Sequence, residues 1–109
     1  MTSWDVFIAS VSVEFGDRLR RRREELGIRQ ADLAARLNLK RTSITNMEAG
    51  HQVPSLPQVI ALAQALRLKP ADLIPDIQAP ISDGDEKNDR AKQYSAFIAE
   101  ALENGRRAS

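Results

Sequence analysis

Apolar residues return every three or four positions along most of this chain, the spacing of helices that bury one face. Between Val13 and Leu26 the positions Phe15, Leu19 and Leu26 fall on one side of a helix, and Gly27 follows as its stop. Gln30 to Leu37 predicts a two-turn helix through Leu33, Ala34 and Leu37. Asn38 ends it, since Asn tolerates the left-handed conformation of a tight turn, and Leu39 supplies an apolar plug beneath. A third helix, Arg41 to Ala49, buries Ile44 and Met47, turns Arg41, Thr42, Thr45 and Asn46 outward, and stops at Gly50. After a loop at residues 51–54, Ser55 and Gln58 stand at capping-box spacing with Pro57 in the first turn, so a fourth helix runs to about Leu66. Its apolar face is wide: Val59, Ile60, Leu62, Ala63 and Leu66. Pro70 to Ile74 predicts a short fifth helix closed by Pro75.

The flanks carry the same period. Trp4, Phe7, Ile8 and Val11 have helical spacing, although Val11, Val13 and Phe15 also alternate like a strand; helix is the expectation. From Asp76 to Asp85 the chain changes character, with Pro80, Ser82, Gly84 and three aspartates, which is linker chemistry. Beyond it Ala91, Tyr94, Phe97, Ile98, Ala101 and Leu102 predict a sixth helix, with Asp85 placed to cap it. The expected organisation is an N-terminal extension (1–12), a helical domain (13–75), a linker (76–85), a C-terminal helix (86–104) and a tail (105–109). The fold class is all-α.

At 109 residues, 42% hydrophobic and 28% charged, the chain has the balance of one small folded domain with tails. It has no cysteine and one histidine, His51, so thiolate metal sites and cysteine nucleophiles are excluded, and a metal site or a serine-type triad is improbable. No cofactor and no enzymatic activity are expected. No apolar run approaches the roughly 20 residues of a membrane span, and the N-terminus lacks the basic start of a signal peptide, so a cytoplasmic location is expected. The net charge of +1 is uneven: residues 1–75 hold 11 Lys/Arg against 8 Asp/Glu, and residues 76–109 hold 5 against 7. Arg18, Arg20, Arg21, Arg22 and Arg23 form a run suited to phosphate. On a helix, however, they project all round the axis, so at least one must face inward. The aromatics lie at the two ends, Trp4, Phe7 and Phe15 before and Tyr94 and Phe97 after, which leaves the middle an aliphatic core.

Two short helices joined by a tight turn, the second showing Arg, Thr, Thr and Asn to solvent, outline a helix-turn-helix. From Phe15 to Pro75 the sequence resembles the phage-repressor/Cro, or XRE-type, DNA-binding family. The resemblance rests on Arg-Leu-Arg in helix one, Gly27, Gln30 followed by Leu33-Ala34, then Ile44, Glu48, Gly50, Pro54 and Ser55. It implies a five-helix repressor-like domain with a short N-terminal apolar extension and an extra C-terminal helix. It implies that Gln30 holds a phosphate and buttresses the recognition helix, and that Arg41, Thr42 and Asn46 read base edges. Side-chain chemistry agrees: Arg pairs with guanine O6/N7, Asn with adenine N6/N7, and the Thr methyl meets a thymine methyl. Lys40 is expected on phosphate, Ser43 and Thr45 on phosphate or a thymine methyl, and His51 and Gln52 on the DNA backbone or minor groove. Arg23 and Glu48 match a pair that in relatives forms a partly buried salt bridge. Two cap positions depart from the family pattern, Arg29 before helix two and Lys69 before helix five, because neither side chain can accept a hydrogen bond from a helix N-terminus. Asn38 stands where many relatives have Gly.

These features lead to a regulator of double-stranded DNA, a dimeric repressor on a palindrome, without membrane contact. The alternative is an antitoxin or other interaction protein that autoregulates its operon and grips a partner protein through the C-terminal helix. Trp4, Phe7, Ile8, Tyr94, Phe97, Ile98 and Leu102 are the expected dimer or partner contacts.

Overall fold

The computed structural model describes residues 1–82 and 96–105, and the described residues are helices, turns and loops without a strand. Residues 1–79 and 80–109 form separate units. The first contains α1 (Ser3–Glu25), α2 (Gln30–Arg36), α3 (Arg41–Glu48), α4 (Leu56–Ala65) and α5 (Pro70–Leu73). In the second, residues 96–105 are helical and exposed; the expected C-terminal helix is 86–104. Tyr94, the capping position Asp85, and residues 86–95 and 106–109 of the expected helix and tail lie outside the described residues.

The N-terminal segment is continuous with helix one rather than an extension in its own right. Helix α1 starts at a capping box in which Asp5 N–H donates to the Thr2 hydroxyl at 3.1 Å and the Asp5 carboxylate accepts from Thr2 N–H at 2.9 Å. It runs unbroken to Glu25. Phe15 and Leu19 on this helix enter the core, where they meet Leu33, Ile44, Met47, Leu62, Leu66 and Leu73. Removing a side chain of this kind from water is worth about 1.5–3 kcal/mol. The apolar stripe continues toward the N-terminus past the core: Trp4 and Ile8 are exposed, and Trp4 meets Phe7 edge to face with ring centroids 5.6 Å apart.

Helices α1 to α4 all end alike. Gly27 (φ 68°), Asn38 (φ 56°), Gly50 (φ 80°) and Arg67 (φ 57°) take the left-handed conformation. The next N–H then bonds back to the carbonyl five residues earlier: Ile28 to Arg23, Leu39 to Ala34, His51 to Asn46 and Leu68 to Ala63. Ile28, Leu39 and Leu68 pack on the core as they turn the chain. The two uncapped starts foreseen in the sequence differ in outcome. Arg29 gives α2 no side-chain cap. At α5 the Asp72 carboxylate accepts from Lys69 N–H at 3.0 Å, so the box is half made. Helix α4 has its full box, Ser55 with Gln58. Its wide apolar face is narrower than the sequence suggests: Val59, Leu62, Ala63 and Leu66 are buried, but Ile60 is 41% exposed.

Gly16 positions the site. It is buried where α1 crosses α3, and a Cβ there would collide with the backbone carbonyl oxygens of Met47 and Glu48. Only hydrogen allows the two backbones to approach this closely.

Candidate nucleic-acid interface

Helices α2 and α3 are joined by the short turn through Asn38, and Leu33, Ala34, Ile44 and Met47 bury the inner faces of the pair. Burial of those four fixes the outer face of α3. Arg41, Thr42, Thr45 and Asn46 are exposed on it, Lys40 is exposed at its N-cap, and Ser43 is half-buried. Beyond its C-terminus His51 is exposed and Gln52 half-buried, and the backbone N–H groups of both bond to the Asn46 carbonyl.

Behind this face is one connected polar network. Arg23, with its side chain only 12% exposed, reaches Glu48 in a two-pronged ion pair, Nε to Oε2 at 2.6 Å and Nη2 to Oε1 at 2.9 Å. Such fork-on-fork geometry fixes orientation as well as distance. The Glu48 hydrogen bond raises the Arg23 pKa further above the ordinary arginine value. Arg23 Nη1 also donates to the Ile28 carbonyl at 2.8 Å, which anchors the turn before α2. Glu48 Oε1 accepts a further bond from Gln30 Nε2 at 3.1 Å, and Gln30 Oε1 accepts from the Thr45 hydroxyl at 3.1 Å. The expected Arg23–Glu48 pair is therefore present, and it is the base of a chain that ends on the recognition face. Sequence reasoning placed Gln30 there but did not see its bonds to Glu48 and Thr45.

The arginine run is largely committed within the protein. Arg22 Nε donates to the Leu66 carbonyl at 3.0 Å, and Arg18 Nη1 donates to the carbonyls of Asp72 and Ile74 at 3.3 and 3.2 Å, so these two close the C-terminal ends of α4 and α5. Arg20 and Arg21 pair with Asp17 on their own helix at 3.1 and 2.7 Å. Arg29, Lys40 and Arg41 have no ion pair among the described contacts, as Arg36, Arg67 and Lys69 have none, and the first three stand close to the N-termini of α2 and α3. A cleft of about 490 Å³ opens there, lined by Arg23, Arg29, Gln30, Ala31 and Arg41. Arg29 is an addition to the residues foreseen. Its lack of capping ability was legible in the sequence, but its place beside Arg41 was not.

A family model described as a helix-turn-helix domain matches residues 14–75. Among solved structures, the chain is similar to the restriction-modification controller protein C.AhdI from Aeromonas hydrophila, at 35% identity and a TM-score of 0.57, over 60% of this chain and 98% of that one. It is also similar to hydroxypropylphosphonic acid epoxidase from S. wedmorenis, at 27% identity and a TM-score of 0.59; the match covers 68% of this chain but only 39% of the epoxidase. A likeness to the DNA-binding domain of BldD, at 17% identity and a TM-score of 0.56 over 62% of this chain and 97% of that one, concerns the fold alone. No curated protein matches the chain.

Proposed function

The chain belongs to the helix-turn-helix domain family, in its phage-repressor/Cro (XRE-type) form, and from that membership we propose that it is a sequence-specific regulator of transcription, a dimeric repressor acting on a palindromic site in duplex DNA. The observation that carries this reading is an exposed α3 face of Arg41, Thr42 and Asn46 held by the buried Arg23–Glu48 pair. Arg41, Thr42 and Asn46 read base edges in the major groove. Gln30, Lys40, Ser43, His51 and Gln52 contact the sugar-phosphate backbone and set the register. Gln30 suits this role because one of its two amide N–H groups is spent on Glu48 and the other is left for a phosphate oxygen. The regulator works without a cofactor and without catalysis, in the cytoplasm. In support, its one histidine stands exposed beside Gly50, and no helix among the described residues is long and apolar enough to cross a membrane.

Dimer formation is read from apolar surface. Trp4, Ile8, Phe97, Ile98 and Leu102 are exposed, as are Leu56 and Ile60 on α4. Two recognition helices related by a two-fold axis would enter successive major grooves about 34 Å apart. A second reading, a partner protein gripped by the C-terminal helix, is favoured by the exposure of Phe97, Ile98 and Leu102. Selection of a random duplex library by the full-length protein, with mass measured in solution, tests both. A palindromic consensus bound by a dimer is the expected result; the absence of any consensus would overturn the regulator.

A further inference from the structure

The hydrogen bonds behind α3 run in one direction. Arginine can only donate, so the two bonds from Arg23 fix Glu48 as acceptor. Glu48, a carboxylate, can only accept, so Gln30 must turn its amide nitrogen toward Glu48 and its carbonyl oxygen toward Thr45. That oxygen in turn accepts the single hydroxyl proton of Thr45. The other acceptor within reach of Thr45 Oγ1 is the Arg41 carbonyl, also at 3.1 Å and also part of the protein. Whichever of the two takes the proton, none is left to point outward. Thr45 is exposed, and it falls between Arg41 and Thr42 around the helix axis, one turn further along.

We propose that Thr45 is a base-reading residue which presents only an acceptor to DNA and selects a base with an exocyclic amine in the major groove, cytosine N4 or adenine N6. The inference rests on the regulator reading above. A phosphate oxygen has no proton to give, so of the two contacts expected of Thr45 from the sequence, phosphate or a thymine methyl, this reading leaves no place for the first. Guanine O6 and N7 and thymine O4 are acceptors and meet the Thr45 lone pairs unfavourably. The amino groups of cytosine and adenine are the donors the major-groove edges offer. Arg23, Glu48 and Gln30 act in this scheme as positioning residues that set the polarity of a hydroxyl they do not share with DNA.

The test uses the full-length protein and its selected duplex. On one strand of each half-site, wild type should show one position where cytosine or adenine is preferred over guanine and thymine. Thr45→Val, which keeps the branched shape and removes the oxygen, should lose that preference, and Thr45→Ser should keep it. A second arm alters the DNA instead, replacing the preferred base by its analogue without the amine, purine for adenine or pyrimidin-2-one for cytosine. Wild-type affinity should fall about threefold to tenfold, the range of one hydrogen bond, while Thr45→Val should bind both duplexes alike. A wild-type consensus that Thr45→Val reproduces at every position, with affinity lowered uniformly, would overturn the inference and leave the regulator standing. A wild-type protein that selects no sequence overturns both.

Discussion

Glu48, the last residue of α3, is buried to 8% exposure on the inner side of that helix, and its charge is tolerable there because Arg23 grips both oxygens and Gln30 a third direction. Truncating it leaves Arg23 with an uncompensated buried charge. Glu48→Ala should therefore cost about 3–5 kcal/mol of stability, and a denaturation double-mutant cycle with Arg23→Ala should show strong coupling; a coupling near zero means that the pair contributes nothing. On the outer face the expected contrast is between kinds of loss. Arg41→Ala should relax preference at one or two base pairs by about 1–3 kcal/mol, whereas Lys40→Ala should weaken all sequences alike and flatten the salt dependence by about one unit of slope. Equal losses on matched and mismatched sites would make Arg41 a phosphate contact. The Arg23–Glu48 pair was legible through the family resemblance, and the need for one inward arginine followed from helix geometry. The destinations of Arg18 and Arg22 were not legible, because the carbonyls they meet come from helix ends more than forty residues later in the chain.

At the scale of elements, the helices were readable because their signals are local. Periodicity gave their faces, and Gly27, Asn38 and Gly50 gave the ends of α1, α2 and α3. Gly16 was not readable. Within a helix a glycine registers only as a weak helix former, and nothing in the spacing says that a second backbone lies against it. The structure makes it the contact between α1 and α3, so Gly16→Ala should destabilise the fold by about 1–3 kcal/mol, as overpacking does, and should lower DNA affinity because the displaced backbone belongs to the recognition helix. Gly105→Ala, with open space around it, is the control that should leave both unchanged. The start of α1 answers to pH. Hydrogen bonds from the Thr2 backbone N–H and hydroxyl hold the Asp5 carboxyl below its ordinary 3.8. With the folded value lowered, the contribution is complete above the unfolded value and disappears as pH falls through the folded one. Helical signal from the first turns should therefore decline at acid pH, and Asp5→Asn should remove that part of the pH dependence.

For the whole molecule, residues 1–79 and 80–109 form separate units. What covers the apolar flanks was beyond sequence reasoning, since an uncovered stripe has the same periodicity as a covered one. Removing residues 80–109 should convert a dimer to a monomer in solution and reduce operator affinity; a truncated protein that remains dimeric and binds undiminished assigns self-association to residues 1–79, where Trp4, Ile8, Leu56 and Ile60 are exposed. The unbroken course of α1 gives that stripe a mechanical meaning. About 18 Å of helix, at 1.5 Å per residue, separates Trp4 from Gly16, with no proline between them to act as a hinge. The helix is a lever with its fulcrum against the carbonyls of Met47 and Glu48. A second copy or partner that held the Trp4 end would therefore hold a helix that packs directly against α3, and the chain's single tryptophan would report that contact.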